Sequence, residues 1–90
     1  MMAYFPSRWK FATLVRPEKC AAGFVRSEDE KEVIPASRFE GKTGEVVEIY
    51  DSGYDVRYPT GYEPCYALVD FDGQRVWIVE AALKFFGQIS

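Results

Sequence analysis

The strongest constraint on the fold is the dipeptide Asp72-Gly73, which separates two short apolar runs, residues 65–71 and 74–79. A two-residue hairpin turn of type I′ needs positive φ at both central residues, and Asp-Gly is one of the dipeptides that adopt this conformation. The two runs are therefore predicted to be antiparallel strands of one hairpin. A chain built around such a hairpin is expected to be rich in β-structure.

Three further segments have the composition or alternation of strands, and they are residues 9–15, 44–50 and 54–58. Five short strands joined by turns favour an all-β fold, a small five-stranded antiparallel barrel that occupies residues 1–90 as a single domain. Residues 80–86 are predicted to close the chain as a short C-terminal helical turn that places Leu83 on the core.

The segment before Gly41 has a different character. Residues 17–40 have no sustained periodicity and contain two prolines and a glycine, which predicts one long loop after the first strand. Within it, residues 27–32 are predicted to form a helical turn with Ser27 as its cap. Residues 1–8 are expected to form an N-terminal arm.

The composition argues against most catalytic sites. The chain has 90 residues, no histidine and two cysteines, so it lacks the Ser-His-Asp and Cys-His nucleophile systems and every metal site that needs histidine. Its carboxylates fall at turns and solvated positions, and no phosphate-binding loop is present. We therefore expect no enzyme activity, no metal, no cofactor and no small-molecule partner.

No apolar run reaches the length of a signal-peptide core or a membrane span. Without a secretory signal, Cys20 and Cys65 are expected to be reduced thiols. These two expectations together predict a cytoplasmic protein.

Acidic residues are concentrated in the predicted loop, and they are Glu28, Asp29, Glu30 and Glu32. The whole chain has 11 basic and 14 acidic side chains, a net charge of −3. Residues 27–32 hold four acids and one base, so this segment alone has the same net charge. Such a cluster is either a solvated loop or a surface that steers a basic protein partner.

Tyrosines recur at every fourth position along one part of the chain, at Tyr50, Tyr54, Tyr58, Tyr62 and Tyr66. If the strands bring them together, their rings could bind a protein partner or enclose a cation, because tyrosine combines a large rigid surface with a polar tip. Alternatively, they fill the core or lie at hairpin ends through ordinary strand propensity.

Basic and aromatic residues alternate around the first strand, at Arg8, Trp9, Lys10 and Arg16. This arrangement is typical of a groove that stacks the bases of a single strand. The net negative charge of the chain argues against it, because phosphate binding requires a surplus of Lys and Arg on one face. Nucleic acid is therefore a weaker alternative to a protein partner.

Residues 41–49, 67–73 and 76–83 resemble the SH3-like barrels. They are similar to subunit O of the photosynthetic NDH complex, subunit IV of photosystem I and the variable chain of ferredoxin-thioredoxin reductase. They also resemble the KOW element of ribosomal and transcription-factor domains, whose glycine corresponds to Gly44. The resemblance implies a five-stranded SH3-like barrel.

The function that this resemblance implies is a non-catalytic protein-protein interaction module, an accessory subunit of a larger complex such as one of electron transport. Size and acidity also suit a small phage-type inhibitor that covers the basic groove of a host nucleic-acid enzyme. A KOW-like nucleic-acid-binding module is the second alternative.

Overall fold

The computed structural model describes residues 3–5, 9–51 and 65–88. Eight strands lie in these residues: β1 (Ala3–Phe5), β2 (Trp9–Leu14), β3 (Phe24–Ser27), β4 (Val33–Pro35), β5 (Thr43–Asp51), β6 (Tyr66–Phe71), β7 (Gln74–Val79) and β8 (Leu83–Gln88). The described part of the chain has no α-helix, and thus no helix that could span a membrane. The all-β prediction is confirmed, whereas the described strands outnumber the five that were predicted.

All the strand pairs are antiparallel, and the strand order is β4-β3-β7-β6-β5-β2-β8. Strand β5 organises the sheet because it pairs with β6 along one side and with β2 and then β1 along the other. The register with β6 shifts between Val46 and Glu48, a β-bulge that bends β5. The predicted N-terminal arm therefore contributes a strand, while the predicted strand at 54–58 lies outside the described residues.

The hairpin predicted from Asp72-Gly73 is confirmed. Asp72 has φ of 52° and Gly73 has φ of 93°, the positive values that a type I′ turn requires. The Gly73 amide also donates a 2.6 Å hydrogen bond to Oδ1 of Asp70, so a side chain from β6 supports the turn.

The long loop predicted for residues 17–40 is wrong, because the segment contains β3 and β4, which pair as a hairpin. Val25 and Ile34 lie opposite each other in this hairpin, and both are buried. Each strand buries only one large apolar side chain, too few to produce a visible alternation in the sequence. The predicted helical turn at 27–32 is replaced by the loop of this hairpin, which the Ser27 amide closes with a 3.0 Å hydrogen bond to the Glu32 carbonyl.

The C-terminal helical turn is shorter than predicted. A 3-10 turn covers Glu80–Ala82, and β8 begins immediately afterwards and pairs with β2. The amides of Val15 and Arg16 donate to the Ala82 carbonyl, both at 3.0 Å, which ties this turn to the end of β2. Leu83 is buried in the core, as predicted.

The main core cluster lies on one face of the sheet and includes Ala12 and Leu14 of β2 and alternate residues of β6 and β7, while Leu68 of β6 is buried on the other face. The rings of Phe39 and Phe71 stack within it at 4.8 Å between centroids. Trp9, Phe11 and Thr13 alternate with the core residues of β2, so this strand turns its larger side chains to the outer face.

Candidate functional site

The acidic residues lie in the loop between β3 and β4, and a network of hydrogen bonds folds this loop. The Ser27 hydroxyl donates to Oδ1 of Asp29 at 2.6 Å, and the Lys31 amide donates to the same oxygen at 3.0 Å. The Glu32 amide donates to the Ser27 hydroxyl at 3.1 Å. The hydrogen bond from Ser27, and then the one from Lys31, lower the pKa of Asp29. The carboxylate of Asp29 is thus ionised and holds the loop together.

The same loop is attached to β7. The indole Nε1 of Trp77 donates to the Glu28 carbonyl at 3.2 Å, and Nη1 of Arg75 lies 3.6 Å from Oε2 of Glu28. Arg75 also donates from Nε to Oδ2 of Asp70 at 3.2 Å. This hydrogen bond and the charge of Glu28 raise the pKa of Arg75. The acidic loop is therefore held against the sheet at its first residue.

All four acidic side chains of this loop are exposed, and Ser27, Glu28, Asp29 and Glu32 line an open concavity of about 390 Å³. The four do not have equal roles. Asp29 accepts hydrogen bonds from within the loop, and Glu28 forms an ion pair with Arg75. Glu30 and Glu32 therefore remain the carboxylates best suited to contact a partner.

Two exposed apolar side chains lie on the strands of this hairpin. Phe24 of β3 is 44% exposed and Val33 of β4 is 61% exposed. Phe24 pairs with Pro35, and Val33 pairs with Arg26, so the strand alternation places all four on one face of the hairpin. The hairpin surface is defined here as Phe24, Val33 and the acidic loop 28–32. The sequence prediction missed Phe24 and Val33. In each of the two strands one apolar residue, Val25 or Ile34, is buried, and its neighbours are exposed.

The structure brings two of the five predicted tyrosines together. Tyr50 of β5 and Tyr66 of β6 are direct cross-strand partners, and both are half-buried. Strand β1 adds Tyr4 at the register position opposite Tyr50, a residue that the periodic pattern did not include. The remaining three, Tyr54, Tyr58 and Tyr62, lie outside the described residues. A surface built from all five tyrosines remains a prediction.

Of the residues of the predicted basic and aromatic groove, the structure places Arg16 apart from Trp9 and Lys10, and the groove remains a prediction. The Arg16 guanidinium donates from Nε to the Ala81 carbonyl at 2.8 Å and from Nη2 to the Leu83 carbonyl at 3.4 Å. Arg16 therefore holds the turn before β8 and lies beyond the opposite end of β2 from Trp9 and Lys10. These two residues are exposed, whereas Arg8 lies outside the described residues.

The thiols and carboxylates of the described residues form no group of three or more that could hold a metal ion. Cys20 is buried, and burial followed by the charge of Glu18 raises the pKa of its thiol. The thiol is therefore protonated at neutral pH. A protonated, buried thiol is a poor nucleophile and a poor ligand.

No family model matches the chain, and neither curated proteins nor solved structures match it. The surfaces described above are therefore the basis on which a function is assigned.

Proposed function

We propose that this chain is a small SH3-like barrel that binds another protein through the hairpin surface and catalyses no reaction. The observation that carries the proposal is the attachment of the acidic loop to β7 through Glu28, with Phe24 and Val33 exposed on one face of the same hairpin. A folded loop loses less conformational entropy on binding than a mobile one, which favours affinity.

The barrel assignment is supported by the arrangement of the sheet. The long β5 is bent by a bulge and shared between β6 and β2, and a 3-10 turn leads into the last strand, which pairs with β2. The long first connection forms a hairpin of its own that pairs with β7. These features suit a compact barrel in which β4 and β3 are the first two strands of the strand order.

The two parts of the hairpin surface have different roles in binding. Glu30 and Glu32 attract a basic partner and raise the rate of encounter, an effect that salt weakens. Phe24 and Val33 provide the apolar contact that slows dissociation, since buried apolar side chains supply most of the binding energy at such interfaces. The partner is therefore a larger protein with a basic surface next to an apolar pocket, as an accessory subunit would require.

The test is affinity capture from the native host, with the wild-type protein and two variants as baits. One variant neutralises the loop (Glu30→Gln with Glu32→Gln), and the other removes the apolar contact (Phe24→Ser with Val33→Ser). Glu40→Gln, an exposed acid outside the hairpin surface, is the matched control. We expect one set of proteins to be captured by the wild type and the control and lost with both variants. The same set captured by all four baits would disprove the role of the hairpin surface.

A further inference from the structure

The end of the sheet opposite the hairpin surface carries the complementary charge. Strands β2 and β8 have the sequences WKFATL and LKFFGQ, which contain Lys10 and Lys84 and no acidic residue. Strand β8 is the last in the strand order, and β4 of the hairpin is the first. The acidic loop and these two lysines therefore lie on strands or loops at opposite ends of the strand order.

The lysines lie among exposed aromatic rings. Phe11 of β2 lies opposite Phe86 of β8, and their rings stack at 5.5 Å between centroids with 30° between the ring planes. Phe86 is 41% exposed and Trp9 is 36% exposed. Lys10 alternates with Trp9 and Phe11 along β2, but its Nζ reaches to 5.4 Å from the centroid of the Phe11 ring. Lys84 is two residues from Phe86, on the same face of β8. The platform is defined here as Trp9, Lys10, Phe11, Lys84 and Phe86.

From these two surfaces we infer that a second copy of this chain docks its hairpin surface on the platform, in a head-to-tail contact. The inference rests on the proposed role of the hairpin surface and names one partner for it. The acidic loop 28–32 meets Lys10 and Lys84, and Phe24 and Val33 meet the exposed rings of Trp9 and Phe86. Both surfaces thus combine exposed apolar groups with charges of opposite sign, which is the complementarity that selects a partner.

A local detail favours a protein over a nucleic acid on the platform. Glu45 of β5 is the register partner of Phe11, and it is exposed. A carboxylate at this position repels phosphate and the acids of the loop alike, but the loop, unlike a polyanion, also carries a lysine, Lys31, that can pair with it. The platform therefore suits the mixed charge of the hairpin surface better than the uniform charge of a polyanion.

The geometry of such a contact determines what it builds. The two surfaces differ, so the contact is heterologous, and a bound pair still presents one unused hairpin surface on one copy and one unused platform on the other. Wild-type protein therefore forms assemblies that grow beyond dimers as its concentration rises. A variant that lacks either surface cannot form such assemblies by itself.

The test is sedimentation velocity over a range of concentrations, with the salt at about 20 mM and then at about 500 mM to screen the charges. The hairpin variant is Glu30→Gln with Glu32→Gln and Val33→Ser, and the platform variant is Lys10→Gln with Lys84→Gln and Phe86→Ser. All six side chains are exposed, so the folds should be retained, which circular dichroism checks. Glu40→Gln is again the control.

In low salt, we expect the wild type and the control to show a sedimentation coefficient that increases with concentration, and the high salt to weaken this increase. Each variant alone should remain monomeric. An equimolar mixture of the two variants should form a one-to-one dimer, because the intact hairpin of one fits the intact platform of the other. Only a head-to-tail contact predicts this complementation.

Two results would overturn the inference. One is a wild type that is monomeric at every concentration, and binding of a fluorescein-labelled oligo-dT strand to its platform would then show a nucleic-acid ligand instead. The other is self-association that either variant alone retains. Neither result removes a partner captured through the hairpin surface. The capture experiment therefore tests the proposed function separately.

Discussion

The indole of Trp77 donates a hydrogen bond to the main-chain carbonyl of Glu28, which lies 49 residues earlier in the chain. This contact joins the first residue of the acidic loop to the centre of β7. Strand β3 pairs with β7 only through Arg26 and Ser27, so the indole extends a short ladder by one more polar contact. The Trp77 indole thus fixes the acidic loop to the sheet together with the Arg75–Glu28 ion pair and the β3–β7 pairing.

Replacing Trp77 with phenylalanine keeps an aromatic ring but removes this donor. We expect the free energy of unfolding to fall by about 1 kcal/mol, the usual net contribution of one hydrogen bond. The loop amides of Glu30 and Glu32 should also exchange faster with solvent. Urea unfolding and hydrogen exchange measure the two effects. Trp9→Phe is the matched control, and equal effects from both substitutions would contradict the anchoring role of Trp77.

Glu30 has φ of 62°, in the left-handed region that suits glycine better than a residue with a β-carbon. Glu30→Gly removes this strain but makes the unfolded chain more flexible. We expect a net gain in stability of about 0.5–1 kcal/mol, since the strain exceeds the entropic loss. Lys31→Gly, one residue further along, should destabilise the protein instead. Thermal unfolding of both variants checks the sign, and a loss of stability in Glu30→Gly would contradict the prediction.

Acidification should release the acidic loop. Hydrogen bonds from Ser27 and Lys31 favour the ionised carboxyl of Asp29 and lower its pKa. The unfolded state therefore takes up a proton first as the pH falls, and the contribution of Asp29 to stability is present above the ordinary aspartate pKa and lost below it. Ser27→Ala should raise the pKa of Asp29, because it removes the larger of the two causes.

An NMR titration of the Asp29 carboxyl carbon measures this pKa directly. The wild-type midpoint should lie below about 3.9, the value for aspartate in a model peptide. Asp29→Asn, which has no carboxyl to protonate at this position, should reduce the pH dependence of the Lys31 amide that bonds to it. A wild-type midpoint at or above the model value would mean that the carboxylate does not hold the loop.

The sequence predicted the features that depend on neighbouring residues. The turn at Asp72-Gly73 was identified because its requirement for positive φ is local, and it determined the β6–β7 hairpin. The acidic loop was identified because charge can be read without a fold. Neither feature depends on contacts between residues that are far apart in the sequence.

The features that the sequence did not predict depend on distant pairing. Val25 and Ile34 are each the single buried apolar residue of a short strand, and β3 finds its second partner in β7, some fifty residues further along the chain. Phe86 was assigned to a helical turn, because its place beside Phe11 exists only once β8 pairs with β2. Lys84 and Phe86 of the platform, and Phe24 and Val33 of the hairpin surface, could therefore not be identified from local patterns.

The close approach of β5 to β6 makes a last prediction about Gly44. A Cβ at this position would lie 2.6 Å from the Asp70 carbonyl oxygen and 2.6 Å from Cγ1 of Val69. The oxygen belongs to the backbone of a paired strand and cannot turn away, so the strands must separate. We expect Gly44→Ala to lower the free energy of unfolding by about 3 kcal/mol, at the upper end of the range for an overpacked core.

Lys42→Ala, at an exposed position two residues earlier, is the matched control and should change the stability by less than about 0.5 kcal/mol. Urea unfolding of the two variants provides the comparison. The methyl signals of Val69 should shift in Gly44→Ala alone, since its side chain lies on the inner face next to the new methyl group. Stability equal to that of the wild type in Gly44→Ala would show that β5 and β6 lie further apart than described. The central strand pair of the sheet, β5 and β6, would then have a different geometry.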